Sequence, residues 1–171
     1  MIKYSIEVQN NLDSVISFLQ SIGISIQYCN IETDCFLPGI SIENGGLIID
    51  KEKLKYPGDI LHEAGHLAVV PPEDRATLNE HDIALRPQRE AEEMMTIAWS
   101  YAVCVHLGMD SRFVFHDDGY KGGGSSIAEN FENKQYFGVP MLQWVGMTLE
   151  EKNAKEQGKP AYPAMLHWLR P

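Results

Sequence analysis

Two histidines four residues apart, with a glutamate directly after the first, occur in the stretch DILHEAGHLAV at 59–69. In an α-helix, side chains with this spacing project from one face, so His62 and His66 can both reach a single ion. Neutral imidazole is a common zinc ligand. Glu63 is rotated by about 100° from His62, which places it beside a water on the metal. The pattern favours hydrolysis, because zinc makes its water acidic and a nearby carboxylate can accept the proton.

The same five residues, HEAGH, are similar to the HExxH signature of zinc metallopeptidases. A catalytic zinc needs a third protein ligand. The extended pattern HExxHxxGxxH does not supply it, because Val69 and Pro72 stand where that pattern has glycine and histidine. We therefore expect an acidic residue further along the chain. The candidates are Glu90, Glu92 and Glu93, with His81 as the non-acidic alternative.

HEAGH followed by an acidic helix start resembles the gluzincin metallopeptidases in their small single-domain form, which includes the ImmA/IrrE-like regulatory proteases. The resemblance covers residues 47–102. It implies two packed helices, the first giving two histidines and the second a glutamate. It also implies a strand above the cleft that binds substrate in extended form, and Leu47 to Asp50 fits that place.

The resemblance also bears on the choice between the glutamates. The second helix of the family often reads Glu-x-x-Ala-Asp/Asn, in which the polar residue four positions on supports the first histidine. Glu92 with Thr96 is the nearest match, and Glu93 has Ile97 at that position. We prefer Glu92 and keep Glu93 as the alternative. Glutamates in a first turn also complement the helix dipole without any metal.

A glycine-rich segment, HDDGYKGGGSS at 116–126, contributes two further candidates. Hydrolysis passes through an oxyanion that a donor group stabilises, and Tyr120 or His116 could supply that donor. The alternative is a solvated loop with scattered polar groups. His106, in the apolar end of the second helix, is expected to be a packing histidine.

Hydrophobic periodicity and turn residues predict the elements that position these groups. We expect Asp59 to cap the helix that carries His62 and His66, and Pro71-Pro72 to end it. We expect Asn44-Gly45 to form a hairpin turn. The predicted helices are 11–22, 60–69 and 88–107; the predicted strands are 24–28 and 47–50; 73–87 is expected to be irregular.

The composition suits a single α+β domain over residues 1–171, of zincin type, with the two helices packed on a small mixed or antiparallel sheet. The net charge of −10 argues against a nucleic-acid partner. There is no basic-then-apolar leader and no apolar run of about 18 residues. Three cysteines without a CxxC pair favour reduced thiols and a cytoplasmic location.

The sequence thus predicts a zinc-dependent metallopeptidase that cleaves a peptide or protein substrate in the cytoplasm, with no membrane partner. His62, His66 and Glu92 or Glu93 would hold the metal, and Glu63 would be the general base. The alternative is a non-catalytic zinc module with a binding or regulatory role, and the plainest reading is a soluble domain with incidental histidines. The pattern predicts no substrate preference, no oligomeric state and no role for residues 127–171.

Overall fold

The computed structural model describes residues 3–32 and 36–171, and within them it has eight α-helices and one three-stranded sheet. Cys35 lies outside the described residues. The helices are α1 (Ile6–Ser21), α2 (Asp59–Val69), α3 (Pro72–Arg75), α4 (Glu80–Ile83), α5 (Arg89–Leu107), α6 (Gly124–Glu132), α7 (Val139–Trp144) and α8 (Glu151–Gln157). The strands are β1 (Ile26–Tyr28), β2 (Ile40–Glu43) and β3 (Gly46–Ile49). None of the described helices is both long and apolar enough to cross a membrane.

The predicted hairpin at Asn44-Gly45 is confirmed. Both residues have positive φ angles, 47° and 74°, as a two-residue hairpin turn requires. β2 and β3 pair antiparallel on either side of it, and β1 pairs parallel with β3. The α+β class and the mixed sheet are therefore as expected.

The strand expected to bind substrate is in the wrong place for that role. The sheet order is β1-β3-β2, so β3 lies in the centre with both of its edges paired. Each of its four residues is buried, which is typical of a strand covered on both faces. The expectation that residues 47–50 pair with an extended substrate is wrong, because only β1 and β2 have a free edge within the sheet.

The two long helices of the site, α2 and α5, pack directly against each other, and α2 also lies against β2 and β3. Their close approach depends on Gly65. A Cβ atom there would lie 2.7 Å from Cγ2 of Thr96, closer than side-chain atoms normally approach. The middle of α5 is fully buried, with Trp99 at 0% exposure, as the apolar sequence around it predicts.

The C-terminal end of α2 is buried, and its carbonyl groups need partners other than water. The side chain of Arg75 donates to the carbonyl of Leu67 at 2.8 Å and to that of Val70 at 3.1 Å. The backbone N–H of Arg170 donates to the carbonyl of Ala68 at 2.8 Å. The last residues of the chain therefore cover the end of the histidine helix, a role that the sequence did not suggest.

Other element boundaries differ from the prediction for local reasons. α1 begins at Ile6, earlier than predicted, because the Ser5 hydroxyl accepts the N–H of Val8 and caps the helix. The segment 73–87, predicted to be irregular, contains most of α3 and all of α4. Asp59, predicted to be the N-cap of α2, is the first residue of that helix. The N-cap position is occupied by Gly58, which has no side chain to form a capping hydrogen bond.

Gly65→Ala tests the close contact between α2 and α5. Overpacking costs about 1–3 kcal/mol, and the better helix propensity of alanine returns about 1 kcal/mol. We expect a net loss of up to about 2 kcal/mol in the free energy of unfolding, measured by urea denaturation with chelator present. Adding Thr96→Ser, which removes the opposing methyl, should recover part of the loss. No recovery in the double variant would contradict this packing.

Asp50 generates a prediction about pH. Its carboxylate accepts backbone N–H groups from Ile31, Glu52 and Lys53, and the bond from Ile31 contributes most to lowering the pKa of Asp50. A lowered pKa means that this stabilisation is complete above the unfolded value of about 3.9 and is lost as the pH falls through the folded value. Asp50→Asn should be less stable than the wild type at pH 7, and the gap should narrow below about pH 4. A gap independent of pH would contradict this.

Candidate metal centre

α2 presents both histidines of the motif on one face. The ring centroids of His62 and His66 lie 4.8 Å apart, with the ring planes at 85°. His66 is buried and His62 is largely covered. Desolvation lowers the pKa of His62 well below its usual value, with the nearby His66 adding to the effect. Burial lowers the pKa of His66 to about 4. Both rings are therefore neutral at pH 7, the form that binds metal ions.

Glu93, from the first turns of α5, lies across the two imidazole rings. Its Oε1 is 3.4 Å from Nε2 of His62, and its Oε2 is 3.5 Å from Nε2 of His66. These separations are long for a hydrogen bond. They are close to the roughly 3.3–3.4 Å that separates two ligands bound at 2.0–2.1 Å to one tetrahedral zinc. The Glu93 side chain is 45% exposed, so the site opens to solvent on that side.

Glu92, the glutamate preferred from the sequence, is not brought to the histidines. Its two oxygens accept the Nε and Nη2 hydrogens of Arg86 at 2.6 and 2.8 Å. Adjacent helical residues point about 100° apart, so only one of Glu92 and Glu93 can face α2. Of the other candidates, Glu90 is exposed and His81, with a side chain 76% exposed, contacts Asp82.

Glu63 is buried next to the ring pair. Ligand-capable atoms of His62, Glu63 and His66 all lie within 4.8 Å of one another. Burial raises the pKa of Glu63 to about 8, and the negative charges of Glu80, Glu93 and Asp59 add to this effect. Glu63 is thus held in an environment that favours taking up a proton.

The donor groups of this cluster fit a divalent cation. Within the part of the chain that the structure describes, the two histidines are the only basic side chains within ion-pair distance of the Glu93 carboxyl group, and Glu63 has none. When these two carboxyl groups are ionised, no described lysine or arginine pairs with their negative charge. Two histidine nitrogens and one carboxylate are a ligand set that catalytic zinc takes, with a further position left open.

Tyr120 lies next to the cluster, on the other side of the His62 ring. Its hydroxyl is 3.0 Å from Nδ1 of His62, whereas Nε2 of that ring faces Glu93. Burial raises the pKa of Tyr120 well above its ordinary value, so the phenol stays protonated. The sequence predicts that Tyr120 donates to an oxyanion. In the structure, the hydroxyl of Tyr120 lies instead at hydrogen-bond distance from Nδ1 of His62.

His116, the other predicted donor, bonds to the start of α2. Its Nε2 is 2.6 Å from Oδ1 of Asp59, and its ring stacks on Tyr56 at 4.2 Å. This bond engages one carboxylate oxygen of Asp59, the first residue of α2. The segment 116–126 is also more ordered than a solvated loop, because it contains a 3-10 turn at Asp117–Gly119 and the first turn of α6.

Two further residues from the sequence analysis lie away from ligand positions. Thr96, expected to support the first histidine, is fully buried against Gly65, and its hydroxyl makes no hydrogen bond. His106 packs against Phe18 and Trp168, as expected of a packing histidine. The partner of His62 is thus Tyr120, 58 positions along the chain, which no motif in the sequence indicated.

No family model, no curated protein and no solved structure matches this chain.

Glu93→Gln and Glu92→Gln form a matched pair that tests which glutamate faces the ion. Glu93→Gln should weaken zinc binding by more than about 100-fold, because loss of an outer partner alone costs about 10–100-fold. Glu92→Gln should keep the zinc affinity and lose about 1–3 kcal/mol of stability, since it leaves Arg86 poorly paired. Chelator competition and urea denaturation measure the two effects. The reverse pattern would show that the glutamates are misassigned.

Proposed function

We propose that this protein is a zinc-dependent peptidase that hydrolyses a peptide bond in a peptide or protein substrate. One observation carries the proposal: the Glu93 carboxylate lies at ligand-to-ligand spacing from Nε2 of both His62 and His66. Incidental histidines on a helix would not be expected to meet a carboxylate of a second helix at matching distances. Glu63 lies beside them and supplies a general base, which hydrolysis needs and metal binding alone does not.

The ligands in this proposal are His62, His66 and Glu93. A zinc ion bound there supplies Lewis acidity, which makes an attacking water more acidic and polarises the substrate carbonyl. The proposed small gluzincin-like class has the same division of labour, with two histidines from one helix and a glutamate from the next. β2 lies at one edge of the sheet and packs against α2, so this edge strand is next to the helix that carries both histidines.

Glu63 acts as the general base in this mechanism. It takes a proton from the attacking water and passes it to the amine that leaves when the peptide bond breaks. Its burial and its acidic neighbours make the protonated form accessible near neutral pH, as a residue that alternates between base and acid requires. The two helices hold Glu63 without a salt bridge that would tie up the carboxylate.

The thiols support a reducing compartment, and we place the protein in the cytoplasm on that ground. Among the described residues, Cys29 is exposed and Cys104 is buried, and the two do not form a disulfide with each other. Exposed free thiols persist where the environment is reducing.

Glu63→Gln tests the proposed reaction. The isolated wild type should contain close to one equivalent of zinc and cleave members of a peptide library. The variant should keep the zinc, and its kcat should fall by about 10²–10⁴-fold, the usual contribution of a general base. Glu90→Gln, an exposed glutamate at the start of α5, is the matched control and should cleave like the wild type.

Two outcomes would contradict the proposal in different ways. Full activity of Glu63→Gln would remove Glu63 from the reaction. Stoichiometric zinc without cleavage of any peptide would favour the alternative, a non-catalytic zinc module with a binding or regulatory role.

A further inference from the structure

A histidine that binds a metal through Nε2 must carry its proton on Nδ1, and a hydrogen-bond acceptor at Nδ1 normally fixes that form. In His62, Nε2 faces Glu93 and Nδ1 is 3.0 Å from the hydroxyl oxygen of Tyr120. When the Nδ1–H donates to that oxygen, the lone pair on Nε2 is free and directed at the cluster. The hydroxyl of Tyr120 is therefore in the place of an orienting acceptor.

Two neighbouring rings fix the position of the Tyr120 ring. It packs edge-on against Phe115, with ring centroids 5.6 Å apart, and Phe115 is 1% exposed. The ring also lies edge-on to His62, at 5.8 Å. Packing on two sides limits the rotamers open to this side chain.

A second hydrogen bond ties the Tyr120 segment to the helix that carries His62. The N–H of Gly119 donates to Nδ1 of His116 at 3.1 Å, so the proton of this neutral ring is on Nε2. That Nε2–H donates to Oδ1 of Asp59 at 2.6 Å. Asp59 and His62 are both in the first turns of α2, so the segment and the histidine share one rigid support.

We propose that Tyr120 is the positioning residue for His62, and that the hydrogen bond between His116 and Asp59 holds it in place. The inference rests on the proposed function in one respect, which is that His62 binds a metal ion. It replaces the partner implied by the resemblance, a polar residue on α5, because Thr96 makes no hydrogen bond there. The orienting group thus comes from the segment before α6 and not from the helix that supplies Glu93.

Tyr120→Phe removes the hydroxyl and keeps the packed ring. We expect its zinc affinity, measured by chelator competition on the full chain, to fall by about 10–100-fold. Tyr136→Phe is the matched control, since the Tyr136 ring packs against Phe131 and Tyr162 rather than against His62, and it should bind zinc like the wild type. Equal affinities of Tyr120→Phe and the wild type would overturn the inference.

Histidine ring ¹⁵N NMR on metal-free protein gives a readout that does not depend on zinc. The wild type should show His62 with its proton on Nδ1, and Tyr120→Phe should lose that preference. A His62 ring protonated on Nε2 in both proteins would overturn the inference. If Tyr120→Phe does not fold, Asp59→Ala tests the same support, because it removes the acceptor of the His116 Nε2–H. Its zinc affinity should be weaker than that of the wild type, and an unchanged affinity would overturn the inference.

The two proposals fail in distinguishable ways. A wild type that binds no zinc would remove the proposed function, while the NMR result would still decide whether Tyr120 orients His62. A wild type that binds zinc, together with a Tyr120→Phe variant that binds it equally well, would remove only the role of Tyr120.

Discussion

The contact between α2 and α5 at Gly65 is the constraint on which the rest of the site depends. With no side chain at that position, the backbone of α2 approaches Thr96 closely, and this approach brings Glu93 within 3.5 Å of both histidines. A helix pair held further apart would leave the carboxylate short of the rings. The cost of glycine in a helix interior, about 1 kcal/mol relative to alanine, is offset here by the geometry that it permits.

Burial of several ionisable groups in one place sets the electrostatics of the cluster. Two imidazoles that are hard to protonate lie beside two carboxylates whose pKa values are raised. Such an arrangement is unfavourable by itself, because each carboxylate loses hydration and repels the other. A bound divalent cation would compensate both effects, which is the electrostatic argument for the proposed metal site.

The sequence predicted the parts of the site that depend on local spacing. HEAGH placed His62, Glu63 and His66 together on one helix, and the Asn44-Gly45 turn located the hairpin. It favoured Glu92 over Glu93, whereas the structure sets Glu93 beside the rings. One residue of register separates the two, and the contact that engages Glu92, Arg86, belongs to another segment. The central place of β3 and the partnership of Tyr120 with His62 are long-range pairings, which no local pattern encodes. The zincin identity itself stays a prediction.

The contact of Arg170 with the C-terminal end of α2 has a consequence for how the chain folds. Arg170 donates to the carbonyl of Val69, 101 positions earlier, and the indole N–H of Trp99 donates to the carbonyl of Trp168 at 2.8 Å. The end of the histidine helix is therefore covered only when segments 101 positions apart have come together. Contacts so distant along the chain slow folding, so we expect this end of the metal-ligand helix to be completed late in folding.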